Sequence, residues 1–205
     1  MPEEAYYVSE TPVGGTFKVT LATDEVLGER FKIEQPLGEG RLSVVYRAYD
    51  SVRSESIALK VVGTAKKSTV HPLMEELRRH SSITNYSHVI RAHEIHPIPY
   101  GGAQLMCVAM ELADGGSLRD WLRQNRGKLS LRRSQGLEYF RQACAGVSEV
   151  HAVGLVHGDL KPENLLLKGN TIKVADFSLS RALYARTDHR SPNAPFPTGT
   201  AAYMS

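Results

Sequence analysis

Apolar and polar residues change rhythm near the middle of this chain. TFKVTLA at 16–22 alternates and predicts one strand. Runs at 31–37, 44–49 and 57–62 predict three more, the last rich in β-branched and apolar residues. Residues 72–83 have helical spacing, and 89–95 and 105–112 predict two further strands. These segments together make a small, mostly antiparallel β unit with one helix. After Asp114-Gly115-Gly116 the character turns helical. Residues 117–125 predict a short helix capped by Ser117. Residues 131–153 predict a long one, with Leu137, Phe140, Ala143, Cys144, Val147 and Val150 about one turn apart. Two short apolar runs, 165–167 and 172–175, could pair as a hairpin, and a Pro-rich loop covers 186–199. A β-rich half followed by a helical half predicts two lobes, with a hinge near Ala113. Residues 1–27 read as an extension, and the chain shows no internal repeat or long low-complexity tract.

Composition narrows the classes. The chain has 205 residues, 41% hydrophobic and 23% charged, an ordinary globular mixture with enough apolar mass for a core. Its 25 basic and 22 acidic residues are spread along the chain and leave a formal charge of +3. So mild an excess does not argue for nucleic acid and at most suits a phosphate-bearing ligand. Cys107 and Cys144 lie in apolar or helical stretches and read as reduced core residues of a cytoplasmic protein. No apolar run reaches the roughly 18 residues a membrane helix needs, and MPEEAYYVSE lacks the basic-then-apolar layout of a signal peptide.

Gly38-Glu39-Gly40-Arg41-Leu42-Ser43-Val44-Val45 falls between two predicted strands. Glycines let backbone N–H groups approach phosphates with no side chain in the way; a plain hairpin turn is the other reading. Strand–loop–strand is the wrong setting for a dinucleotide fold, which needs a helix straight after the glycines. Lys60, 20 residues after Gly40 on the third of these strands, reads either as a phosphate cation or as a lysine snorkelling from a strand edge. His93-Glu94-Ile95-His96 resembles a metal site only superficially, since histidines three apart on a strand point to opposite faces.

The most specific run is His157-Gly158-Asp159-Leu160-Lys161-Pro162-Glu163-Asn164, followed by Asp176-Phe177. Asp159 to Asn164 is five residues and Asn164 to Asp176 is twelve. Phosphoryl transfer needs a base to orient a hydroxyl, oxygens to hold magnesium, and cations over the phosphates. Asp159 offers the first, Asn164 and Asp176 the second, Lys60 and Lys161 the third. With the glycine-rich loop, this run resembles the catalytic loop and metal-binding motif of eukaryotic-type protein kinases, from about Phe31 to Ser205.

The resemblance implies an α+β, bilobal fold: an extension at 1–30, an N-lobe at 31–112 with one main helix, a hinge at 113–116 and an incomplete helical C-lobe at 117–205. It implies ATP and Mg2+ as cofactors and protein substrates presenting Ser or Thr hydroxyls. It implies nucleotide contacts from Leu37, Gly38, Glu39, Gly40 and Ser43, and Lys60 oriented by a helix glutamate. Glu75 and Glu76 are the candidates, and Glu76 is preferred because Leu77 and Ile83 then fall on the core side. Met110 becomes the gatekeeper, adenine is read by backbone groups of Glu111 and Ala113, and Val45, Ala58 and Leu166 sandwich the ring. His157 and Phe177 stack in the spine that links the lobes. Lys161 after Asp159 resembles the Ser/Thr branch. So does TGTAAYMS at 198–205, the substrate-docking segment, with Thr200 near Asp159.

Several positions depart from the family pattern. Ser43 replaces the third glycine of the loop. Gly158 replaces the arginine that receives an activation-loop phosphate, so charge pairing cannot order that loop in the usual way. Ser178 ends the metal motif where glycine is usual. The family continues beyond the docking segment, so the chain is expected to be a fragment whose long helix misses packing partners. A pseudokinase, binding nucleotide or scaffolding without transfer, is the competing reading. A kinase-fold enzyme acting on a small molecule is a more distant one.

Overall fold

The computed structural model describes residues 16–40, 43–64 and 80–176. These form two compact units, divided in the chain between Leu112 and Ala113. The first comprises the described residues of 16–64 together with 92–112; the second comprises 80–91 and 113–176.

The first unit is an antiparallel sheet. Its strands are β1 (Thr16–Phe17), β2 (Val26–Leu27), β3 (Phe31–Glu39), β4 (Val44–Asp50), β5 (Glu55–Thr64), β6 (Ala92–Tyr100) and β7 (Ala103–Met110). They run in the order β2-β3-β4-β5-β7-β6, with β1 paired to β5. Register decides what each face carries, because residues directly opposite share a face and neighbours in sequence do not. Val44 pairs with Val61, Tyr46 with Leu59 and Ala48 with Ile57. Val61 pairs in turn with Cys107, and Leu59 with Ala109. All of these belong to one buried cluster. The opposite face carries Val45, Ala58, Lys60, Val108 and Met110, again set by pairing: Val45 with Lys60, Lys60 with Val108, Ala58 with Met110.

Phe17, Val19, Leu21 and Leu27 join that same cluster. The alternation expected over 16–22 is therefore real in burial, although hydrogen-bonded pairing is confined to Thr16–Phe17 and a bridge at Val19. At the other end of the sheet, Asp50 is fully buried and takes a two-pronged contact from Arg30, Nε and Nη2 each at 2.7 Å. Arg30 also reaches Glu94, and its Nη1 lies 3.0 Å from His96 Nε2. His93 Nδ1 lies 3.2 Å from Arg53 Nη2. Both histidines of the superficial metal motif thus have arginine neighbours.

The second unit contains α1 (Leu118–Gln124), α2 (Leu129–Ala152), a 3-10 turn at Pro162–Asn164, and the hairpin β8 (Leu165–Lys168) with β9 (Thr171–Val174). Ser117 caps α1 as expected: its Oγ accepts from Asp120 N at 3.2 Å, and its own N–H donates to the Asp120 carboxylate at 3.1 Å.

Two expectations need correcting. A strand was expected over 89–95, but β6 begins at Ala92. The backbone just before it pairs elsewhere: Ile90 N donates to Val174 O at 2.9 Å, and Val174 N donates to His88 O at 2.8 Å. Val89 and Ile90 are apolar, and apolar residues carry no mark of which sheet will take their hydrogen bonds. The long helix, expected to miss packing partners, is covered on only part of its apolar surface among the described residues. Its buried residues are Tyr139, Ala143, Gly146 and Val150, whereas Leu137 and Phe140 are 70% and 66% exposed. The wide apolar stripe of α2 spans two faces, and only the one turned to β9 and to Val89 is covered among the described residues. For the same reason Cys144 is exposed and not a core residue, while burial pushes the Cys107 thiol up to about 12. The helix expected over 72–83 lies outside the described residues up to His80. No described helix is long and apolar enough to cross a membrane.

Candidate active site

In the first unit, β3 and β4 meet at the glycine-rich turn. Gly38 pairs with Val45 and Glu39 with Val44, and Gly40 N donates to Ser43 O at 2.8 Å. The serine at the third glycine position therefore closes the turn through its backbone carbonyl. Lys60 is buried on β5, directly opposite Val45, with Ala58 two residues away on the same face and Met110 opposite Ala58. Of the residues expected around an adenine ring, Val45, Ala58 and Met110 thus share one face of the sheet with Lys60, while Leu166 lies in the second unit. Leu37 is exposed near the start of the turn. Arg41, Leu42 and Glu76 lie outside the described residues, as do Phe177, Ser178 and the segment 198–205.

In the second unit, polar groups converge on Asp159. Lys161 Nζ donates to its Oδ2 at 2.7 Å. Asn164 Nδ2 donates to its backbone O at 2.8 Å and lies 3.3 Å from Oδ2. Two backbone bonds hold this loop: Asn164 N to Lys161 O, and Ala175 N to Asn164 O, each 2.9 Å. The second ties the loop to the residue before Asp176. Pro162 begins the 3-10 turn, where its missing N–H costs nothing. Glu163 is held from the side by Arg119 at 3.1 Å. Leu166 sits on β8 and bridges to Ser117; next to it, Leu167 N donates to Gly116 O at 2.8 Å.

Two backbone conformations mark the loop. Gly158 has φ 75, in the left-handed region that glycine enters freely and a side chain enters at a cost. Asp176 has φ 59 without being glycine. Such a conformation costs about 1–3 kcal/mol and persists only where the surroundings impose it.

His157 is buried, and its Nε2 lies 2.9 Å from Ala175 O while Asp159 N donates to its Nδ1 at 3.2 Å. The ring is therefore the neutral tautomer with hydrogen on Nε2, which donates to that carbonyl. Burial lowers its pKa, opposed by the bond to Ala175. A depressed folded value means that this group's contribution to stability is full above the unfolded value of about 6.5 and is lost as pH falls below it. An NMR titration of the His157 ring in the folded protein is expected to show a midpoint below about 6.5; a higher midpoint would contradict this geometry.

No group of three or more His, Cys, Asp or Glu able to hold a metal occurs among the described residues. Asn164 and Asp176 are a sparser donor set of hard oxygens. That composition suits magnesium, which keeps waters and substrate phosphates among its ligands. Because the Asn164 amide nitrogen is spent on Asp159, its oxygen is the atom left for a cation.

Sequence reasoning missed the contribution of residues before Phe31. Lys18 pairs with Glu39 of the glycine-rich turn, and Tyr46 Oη accepts from Leu21 N at 2.9 Å. The alternation at 16–22 signalled a strand, but nothing in it named the partner.

A family model described as protein kinase domain matches residues 31–205. The chain is 35% identical over 159 residues to CBL-interacting protein kinase 16 of Oryza sativa subsp. japonica, covering 76% of this chain and 33% of that protein. It is 32% identical over 156 residues to CBL-interacting serine/threonine-protein kinase 21 of Arabidopsis thaliana, covering 74% of this chain and 35% of that one. It is 28% identical over 188 residues to serine/threonine-protein kinase PknB of Mycolicibacterium smegmatis, covering 90% and 29% respectively. The chain thus spans about a third of the length of these relatives.

Proposed function

The chain belongs to the protein kinase domain family, and on that premise we propose that the whole protein transfers the γ-phosphate of ATP to Ser or Thr hydroxyls of protein substrates. The observation that carries this reading is the Asp159 carboxylate, fixed by Lys161 and Asn164 in a loop closed onto the residue before Asp176. Such a carboxylate can orient an attacking hydroxyl and accept its proton. Lys161 is the cation beside the transferring phosphate. Lys60, oriented by Glu76, neutralises the α- and β-phosphates. Leu37, Gly38, Glu39, Gly40 and Ser43 flank the phosphates; Val45, Ala58, Met110, Glu111, Ala113 and Leu166 take the adenine. Asn164 and Asp176 would hold Mg2+, which neutralises charge on the phosphate oxygens when bound. The domain is assigned to 31–205, with an N-lobe at 31–112, a hinge at 113–116, a C-lobe beginning at 117, and 1–30 as an extension. Cysteine usage favours a cytoplasmic setting.

The test is incubation of the whole protein with labelled ATP and protein acceptors, followed by identification of the phosphorylated amino acid. Phosphoserine or phosphothreonine supports the proposal; nucleotide binding without transfer would favour the scaffold reading. Lys60→Met removes a charge-assisted partner of the phosphates, worth about 1.5–3 kcal/mol. It is expected to raise the KM for ATP by about tenfold or more, the equivalent of 1.4 kcal/mol. An unchanged KM would remove Lys60 from the phosphate site.

A further inference from the structure

The segment before the first long strand is attached to the sheet at three points, one of them at the glycine-rich turn. Phe17 pairs with Gly63 on β5, three residues beyond Lys60. A Cβ on Gly63 would come within 2.4–2.8 Å of the Phe17 ring, so only glycine lets the ring seat there. Tyr46, buried on β4, accepts the Leu21 N–H at 2.9 Å, and its own hydroxyl lies 3.5 Å from Val19 O. Between these anchors Lys18, its neighbours Phe17 and Val19 both buried, pairs with Glu39 at the end of β3. The segment thus runs from the strand that carries Lys60 across to the end of β3, where the glycine-rich turn begins.

We infer that residues 16–21 are a strap that positions the end of β3, where the glycine-rich turn begins, for binding phosphates, with Lys18 as the positioning residue acting through Glu39. The inference rests on the kinase reading above. Glycine-rich turns have few side chains with which to fix their own shape, so an outside tether has leverage on them. Phe17 and Tyr46 supply the rigid base of the tether. Lys18 sets where the end of β3 stands. Its side chain is 19% exposed and that of Glu39 63%, so the ion pair is partly screened and its effect is modest.

The experiment uses the whole protein. Lys18→Ala is expected to raise the KM for ATP roughly two- to fivefold, the range of a partly exposed ion pair, with kcat nearly unchanged. Amide hydrogen exchange over 38–43 is expected to quicken in the same variant. Tyr46→Phe removes only the hydroxyl and is expected to shift both readouts in the same direction. A double-mutant cycle of Lys18→Glu with Glu39→Lys is expected to show favourable coupling in KM. Lys18→Ala with unchanged exchange, or with unchanged KM, overturns the inference, as does a cycle without coupling. Exchange needs no nucleotide, so it decides whether the strap exists even if the wild-type protein fails to bind ATP, a result that would sink the kinase reading instead.

Discussion

An Asp159→Ala variant of the whole protein is expected to lose at least about a hundredfold of phosphate transfer, the low end of what a positioned acid–base group contributes. Its affinity for ATP is expected to stay within a few fold. The reason is local. Lys161 Nζ and Asn164 Nδ2 both approach Oδ2 of Asp159, at 2.7 and 3.3 Å. Two donors on one oxygen hold the carboxylate in a single orientation. A carboxylate held in this way can align a hydroxyl for attack in line with the leaving group, and positioning dominates this chemistry. Asp159→Asn keeps the shape but cannot take the proton, so it is expected to fall nearly as far. Single-turnover rates at saturating ATP make the measurement, with a thermal melt to show that the variants are folded. Transfer within tenfold of the wild type, less than about 1.4 kcal/mol in the barrier, would remove Asp159 from the role of base.

The largest effect on stability is expected far from that loop. Asp50 is fully buried and receives Arg30 on both oxygens at 2.7 Å, and its Oδ1 also accepts from Val52 N at 3.0 Å. Asp50→Ala removes the principal partner of a guanidinium whose side chain is 15% exposed. Breaking one side of such a pair typically costs about 3–5 kcal/mol, because a buried charge is left uncompensated. Glu94 remains beside Arg30, which places the expected loss towards the lower end. Against a typical total of about 5–15 kcal/mol this is severe. Denaturant unfolding of the whole protein measures it, and a loss under about 1 kcal/mol, the scale of a surface pair, would show that the network contributes nothing special. Replacing both residues with apolar ones is expected to cost less than the sum of the single changes.

The same pair carries a pH signature. Arg30 holds the Asp50 carboxyl below the usual carboxylate range, with the bonds from Val52 and Arg53 adding to the effect and burial opposing it. A depressed folded value means that the stabilisation is present above the unfolded value of about 3.9 and is lost as pH falls through the folded one. The gap between wild type and Asp50→Ala is therefore expected to persist at neutral pH and to close on strong acidification.

Much of this protein could be read along the chain. The loop from His157 to Asn164 was legible because its parts interact within a few residues: Lys161 with Asp159, Asn164 with Asp159. The hairpin of Leu165–Lys168 with Thr171–Val174 was legible from two short apolar runs around a turn. Ser117 announced the start of α1, because a serine before a helical run is a favoured cap. Runs rich in β-branched and apolar residues located most strands of the sheet, because such side chains suit a pleated, buried surface whatever their partner.

The remainder depends on distances along the chain that no local pattern spans. Val89 and Ile90 read as part of a sheet strand, and only folding sends their hydrogen bonds to Val174. Leu137 and Phe140 belong to the apolar stripe of α2, and the placement of β9 against Tyr139, Ala143 and Gly146 decides that they are not on its buried face. Arg30 and Asp50 lie 20 residues apart, and only the pairing of β3 with β4 brings them together. Lys18 meets Glu39 from 21 residues away, and Phe17 meets Gly63 from further still. The chain by itself therefore determined the family, the local contacts of the loop from His157 to Asn164 and the hairpin that follows it, because those are written in short-range spacing. Tertiary structure alone decided which face is buried, which charges pair and what steadies the glycine-rich turn, because a side chain carries a preference for burial or for a counter-charge but no address for its partner.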